Sequence, residues 1–234
     1  MYSRIQRLYV SIPRTYEMVN HVLTFGLDIL WRRKAALIAS SAGGSLWLDA
    51  GMGTGDMTLN LNRLADEHTR IVAIDFSLPM MKKARERLAH SDVALILAEA
   101  THLPFRDELF DAITLSFASR NIDSSGEGNL SVCLSEFHRV LKPGGVFVNL
   151  ETSQPRNRWL RELHHIYVKL VVKPVGGIIS GSFEPYDYLS NSMRRFYSAD
   201  ELASIIRRSG FNTVSYDLLL FGAAAIHRAA RRSM

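Results

Sequence analysis

The 234-residue sequence contains one cysteine, Cys133, and so admits no internal disulfide. No cluster of cysteine and histidine has the spacing of a structural zinc site, and no metal is expected. At its start there is no charged region followed by an apolar one, and no apolar run anywhere is long enough to cross a bilayer. A cytoplasmic protein without export is therefore expected. Internal repeats and low-complexity tracts are also missing, which excludes repeat architectures and long solvated tails.

What remains is ordinary for a globular chain: 47% hydrophobic and 22% charged residues, at a length that suits one α/β domain over 1–234. The net charge is +5, and part of the excess is clustered at Arg194-Arg195, Arg207-Arg208 and Arg228, Arg231, Arg232. Basic clusters attract nucleic acid or an anionic lipid surface, although most such pairs are solvated faces. Cys133 falls in the helical apolar pattern Leu130, Cys133, Leu134, Phe137, Leu141, so it reads as a buried thiol rather than a nucleophile.

The most informative stretch is Ser45 to Asp56, SLWLDAGMGTGD. An apolar run, Leu46 to Leu48, reaches Asp49, and Gly51, Gly53 and Gly55 follow at alternate positions before a helical pattern begins. This reads as a strand, a tight turn and a helix N-terminus, with glycines that let a ligand approach the main chain. A dinucleotide fingerprint places its third glycine three residues after the second, where this chain has Asp56. An acid there repels a pyrophosphate and attracts an ammonium or sulfonium, which points to S-adenosylmethionine. Arg70 to Asp75 is a second apolar strand, and it ends in an acid about 20 residues past the glycines, where ribose hydroxyls are held.

Around this cradle the pattern alternates. Ser3 to Ala39 reads as helices broken near Pro13 and Gly26, a helical cover over residues 1–40. Ser77 is the expected N-cap of a helix running to about Leu88, and Val93 to Ala98 is a third strand ending at Glu99 and Ala100. Phe110 to Ser116 is the fourth strand, with Arg120-Asn121 just past its end. A helix over Leu130 to Leu141 is stopped by Lys142-Pro143-Gly144-Gly145, and Val146 to Glu151 is the fifth strand. From 152 to 198 the alternation lapses into mixed aromatic and basic residues with a Gly176-Gly177 turn, a pattern that suits a lid. A helix from Asp200 to Ser209 and strands at Phe211 to Leu220 and Ala223 to Arg228 complete the sheet.

This order of motifs resembles the class I S-adenosylmethionine-dependent methyltransferases, and more closely the ubiquinone and menaquinone biosynthesis C-methyltransferases. The resemblance covers nearly the whole chain, through Tyr16 to Trp31, the cradle, Leu103 to Phe105, Ser116-Phe117 with Arg120-Asn121, Phe137 to Gly145, Leu150 to Pro155, Tyr186 to Leu189 and Ala225 to Arg228. It implies a doubly wound, Rossmann-like, seven-stranded sheet with helices on both faces and an antiparallel last strand. It also implies that Thr54, Asp75, Glu99, Ala100 and Ser116 contact the cofactor. The chain departs from the family at Met52, at Glu99 where asparagine is usual, at Ala118-Ser119 and at Glu184-Pro185.

In this reading Asp75 holds the ribose, Phe76 and Leu78 wall the adenine, Glu99 and Ala100 border it, and Gly51 to Gly55 support the amino-acid end. Asp49 and Asp56 meet the ammonium or set the loop. Methyl transfer needs placement and exclusion of water more than a metal. For a quinol ring, Arg120 is the expected stabiliser of the phenolate and Asn121 its positioner, with His164, His165, Tyr186 or a water as base. The expected partner is a lipid-soluble quinol, with the lid resting on an anionic membrane surface. The sequence leaves a monomer and a homodimer both open. Competing readings are another acceptor (sterol, tocopherol-like ring or amine), a non-catalytic cofactor-binding protein, or a nucleic-acid enzyme. No (Asp/Asn)-Pro-Pro-(Tyr/Phe) tetrad follows the fourth strand, which argues against the last.

Overall fold

The computed structural model describes residues 16–126, 128–181 and 183–233. Seven strands form one sheet in the order β3-β2-β1-β4-β5-β7-β6, with β1 Leu46–Ala50, β2 Arg70–Asp75, β3 Ala94–Leu97, β4 Phe110–Ser116, β5 Leu141–Thr152, β6 Thr213–Leu219 and β7 Ala224–Ala230. All pairings are parallel except those of β7, which runs antiparallel between β5 and β6. The doubly wound sheet with an antiparallel last strand is thus as expected. Strand order reverses between β1 and β4, and in open α/β sheets ligands bind at such a switch point, outside the carboxyl ends of the strands.

Side-chain alternation assigns the helices to the two faces. Trp47, Ile71, Ala112, Val146 and Val148 face one side and bury Ala35, Ala36 and Ala39 of α2 (Leu27–Ser40) with Met57 and Leu61 of α3 (Asp56–Leu64). Met81 and Ala84 of α4 (Leu78–Arg87) cover Ala73 beside them. On the other side Leu48, Ile113, Leu115 and Phe147 bury the apolar stripe of α6 (Asn129–Val140) and that of α10 (Ala199–Arg208). Cys133 lies within this second core with no exposure, and burial pushes its thiol well above the ordinary range. The short α5 (Ser119–Ser125) leads from β4 toward α6.

Three local expectations change. β5 begins at Leu141 rather than Val146: Leu141 pairs with Phe110 and Val146 with Ala112, so Lys142 to Gly145 form a bulge within the strand instead of a loop before it. The 152–198 segment is mostly helical, comprising α7 (Arg158–Tyr167), a π-helical turn (Val168–Val172), α8 (Lys173–Ser180) and α9 (Glu184–Arg195). Gly176 and Gly177 lie inside α8, where a Cβ would sit 2.2 Å from the ring of Tyr186 or of Phe183, respectively. They serve close packing, not a turn. The predicted helix break at Gly26 is present, with φ 75° between α1 (Tyr16–Leu23) and α2, whereas the break near Pro13 lies outside the described residues.

The cover and the lid expected as separate pieces share one small core. Val19 of α1 packs with Val168, Val172, Tyr186 and Leu189, and Tyr167 Oη donates to the Leu23 carbonyl. They therefore form a single cap beside the carboxyl ends of β4 and β5.

Candidate active site

β1 delivers Asp49 beneath the glycine turn, where it is fully buried and accepts hydrogen bonds from Thr58 Oγ1 at 2.5 Å and Thr114 Oγ1 at 2.9 Å. Burial pushes its carboxyl up to about 6, with the nearby Asp75 adding to the rise. Asp49 thus sets the loop from below and does not line the cavity. Gly51 and Gly53 have φ of 63° and 55°, left-handed values that glycine adopts without strain. A Cβ on Gly51 would stand 3.1 Å from that of Ala118, so the turn and the end of β4 approach closely.

Asp75, at the end of β2, accepts from Gly53 N–H and from Ser77 N–H, both at 2.8 Å. The acid expected to reach the cradle is in contact with it. Burial raises the Asp75 carboxyl to about 6, against the lowering effect of these backbone donors. Ser77 precedes α4, but its hydroxyl does not cap the helix.

A cleft of about 1190 Å³, mouth included, opens here. Of the expected cofactor residues, Gly51, Gly53, Thr54, Asp75, Phe76, Glu99, Ala100 and Ser116 line it. Asp49 and Gly55 do not; Gly55, with φ 93°, packs toward Ala84 and Leu88 at the start of α3. Asp56 lines the mouth and pairs with Arg87 at 2.7 Å. Ser77, Ser116 and Asn121 also line this cleft, and their Oγ, Oγ and Oδ1 atoms are buried without a hydrogen-bond partner among the described residues.

The expected catalytic residues divide. Asn121 lines the cleft, while Arg120, His165 and Tyr186 do not. Arg120 is buried, its Nη1 bonded to Glu151 Oε1 and Thr152 Oγ1, each at 2.9 Å, and its backbone N–H bonded to Glu151 Oε2 at 3.1 Å. Arg120 therefore lies outside the cleft lining, unlike the expected placement beside an acceptor, and its pair with Glu151 fastens α5 to β5. His165 Nε2 is bonded to Gln154 at 2.7 Å, and burial, with Arg194 and Arg161 adding, holds its pKa below the ordinary imidazole value. Its neighbour His164 is pulled down to about 4, again by burial. Tyr186 fills the centre of the cap.

Sequence reasoning missed Arg32, Met57, Phe117 and Asn129, all of which line the cleft. Arg32 had a legible signal: Asp28, Arg32, Ala35, Ala36 and Ala39 form the buried stripe of α2, and a charged i,i+4 pair on such a stripe is unusual. Its guanidinium lies over the Phe117 ring, 4.9 Å from the centroid. Phe117 itself holds a left-handed φ of 54°, a strained value for a non-glycine residue just past β4.

A 3-2-1-4-5-7-6 sheet with an antiparallel β7, an alternating-glycine turn and a β2 acid bonded to it define a methyltransferase site on a Rossmann-like scaffold. The chain belongs to the ubiE/COQ5 methyltransferase family, whose model matches residues 2–231. It is 35% identical to a demethylmenaquinone methyltransferase of Roseiflexus castenholzii, over 97% of this chain and 93% of that one. It is also 35% identical to a ubiquinone/menaquinone biosynthesis C-methyltransferase of Geobacter sulfurreducens, over 96% and 87%. Among solved structures, the fold matches a SAM-dependent methyltransferase from Aquifex aeolicus with a TM-score of 0.57 and 18% identity, covering 83% of this chain and 88% of that one.

Proposed function

We propose that the enzyme transfers a methyl group from S-adenosylmethionine to a ring carbon of a lipid-soluble quinol, of the demethylmenaquinol or ubiquinone-precursor type. The observation that carries the donor is the contact between Asp75 and the glycine turn, at a cleft that Ser77, Ser116 and Asn121 also line. Those residues fit an adenosyl group: Asp75 for the ribose diol, Phe76, Glu99 and Ala100 for the adenine, and Gly51 to Thr54 for the amino-acid end. Bound there, the donor supplies an electrophilic methyl on a sulfonium. The carboxylates of Asp56, Asp75 and Glu99 around the cleft favour that cation.

The acceptor class rests on the relatives' names and on the cap. Asn121, on α5 between β4 and the cleft, is the side chain assigned to orient the quinol oxygen, and Arg120 with Glu151 fixes α5 in place. None of His164, His165 and Tyr186 lines the cleft, so water is the candidate left to accept the ring proton released on transfer. Turnover of labelled S-adenosylmethionine with demethylmenaquinol or a benzoquinol analogue, but not with sterols or amines, supports this reading. Transfer to an amine or sterol alone refutes it.

We also propose that the cap docks on an anionic bilayer. Trp159, Leu163, Ile166 and Leu170 are spaced i, i+4, i+7, i+11 and are 80%, 62%, 53% and 64% exposed, an apolar ridge with Arg158 and Lys169 alongside. Phe25, exposed beside Tyr167 at 6.5 Å between ring centroids, extends it. Among the described residues no helix is long and apolar enough to cross a membrane, so contact with lipid falls to such a surface. Flotation with vesicles containing phosphatidylglycerol is expected for the wild type and lost in Trp159→Glu/Leu163→Glu, with turnover of a short-tailed quinol retained. A dimer in light scattering that shields Trp159 would overturn it.

A further inference from the structure

Among the described residues lining the cleft, Arg32 is the one cation, set against the carboxylates of Asp56, Asp75 and Glu99. The position is specific. Strand order places β2 and Asp75 on one side of β1, and β4 with Phe117 on the other, so the ribose acid and Arg32 flank the glycine turn from opposite sides. Arg32 is also close enough to Asp49, beneath that turn, for its charge to act on the carboxylate. It is buried and held on two sides, by Asp28 and by Phe117. Asp28 bonds its Nη1, Phe117 stacks under its plane, and Asp28 in turn accepts from Thr24 Oγ1 at 2.7 Å and sits 2.8 Å from His21 Nδ1.

A site that is acidic elsewhere favours the ammonium and sulfonium of the donor but repels its carboxylate. A guanidinium carries five N–H donors in a rigid fork, suited to a carboxylate. We propose that Arg32 binds the carboxylate at the methionine end of S-adenosylmethionine, and that Asp28, His21 and Thr24 position it. The proposal rests on the donor assignment above. It ties α1 in the cap and α2 on the sheet to cofactor recognition, at the side of the turn away from the ribose.

The test compares three ligands on the full chain by calorimetry: S-adenosylhomocysteine, its analogue lacking only the carboxylate, and methylthioadenosine, which lacks the whole amino-acid end. The wild type is expected to prefer S-adenosylhomocysteine over the decarboxylated analogue by about 10- to 100-fold, the range of a charge-assisted hydrogen bond. Arg32→Met reduces that preference to within about threefold with methylthioadenosine binding unchanged, and Arg32→Lys, which keeps the charge but not the fork, falls between. Equal weakening of all three ligands in Arg32→Met and Arg32→Lys, the mark of a merely structural arginine, overturns the proposal, as does an undiminished preference. A wild type that binds none of the three refutes the donor assignment itself.

Discussion

Replacing Glu151 with methionine tests the finding that Arg120 is held in a buried ion pair. Both side chains are almost fully buried, 3% and 1% exposed, and their charged atoms are 2.9 Å apart. Removing one partner of such a pair strands the other charge in a poorly solvated interior, at a cost of about 3–5 kcal/mol. The backbone N–H groups of Arg120 and Thr152 lose their acceptor as well. For a domain of this length each kcal/mol shifts Tm by about 2–4 °C, so Glu151→Met is expected to melt roughly 6–20 °C below the wild type in a calorimetric scan. The double variant Arg120→Met/Glu151→Met removes both charges at similar volume and is expected to recover most of that loss, because well-packed apolar pairs replace buried ion pairs at little cost. A shift under about 2 °C in the single variant, or a double variant as unstable as the single, would refute the pair's structural role. The double variant also decides the catalytic question: retained turnover excludes Arg120 from the chemistry, whereas lost turnover with intact cofactor binding returns it there.

Cofactor affinity should depend on pH through Asp75. Its carboxyl titrates near 6 in the unliganded protein, and the ionised form accepts the ribose hydroxyls. The dissociation constant of S-adenosylhomocysteine is therefore expected to rise as pH falls below about 6, by up to about tenfold per unit, and calorimetry of Asp75→Asn should give a weak, flat profile. Stability of the unliganded protein has the opposite sign. With folded values near 6 for Asp49 and Asp75, against an unfolded value of about 3.9, the native state holds more protons between about pH 4 and 6. Stability should then decline as pH rises through that window; a rise in denaturation midpoint would contradict it. Gly176→Ala drives a methyl group to 2.2 Å from the Tyr186 ring and should destabilise the cap by about 1–3 kcal/mol. Faster proteolysis within 158–195, with the sheet's protection unchanged, is the expected readout, and unaltered cleavage would count against it.

The sheet was legible because its signals are local. Continuous apolar runs ending in Asp49 and Asp75, and glycines at alternate positions, each follow from the backbone they must adopt. The cap was legible as an insertion but not as helices. Gly176 and Gly177 read as a turn since their requirement is the approach of Tyr186 and Phe183, residues on the next helix. Lys142 to Gly145 read as a stop for the same reason: the bulge is defined by pairing with β4, about 30 residues earlier in the chain. Arg120 looked reactive because position past a strand end places a residue near a ligand without showing what neutralises it, here a strand residue 31 positions later. Arg32 could have been singled out by its i,i+4 pair with Asp28 on the stripe of α2, but its contact with Phe117 carries meaning only once α2 is laid across the end of β4.

The most direct test of the account is a crystal structure of the enzyme with S-adenosylhomocysteine and a short-tailed quinol. The account requires the ribose diol on Asp75, the carboxylate on Arg32, and the thioether sulfur facing a quinol ring carbon beside Asn121. A ribose bound away from Asp75, or a sulfur turned from the Asn121 side with no path to the ring, would contradict it.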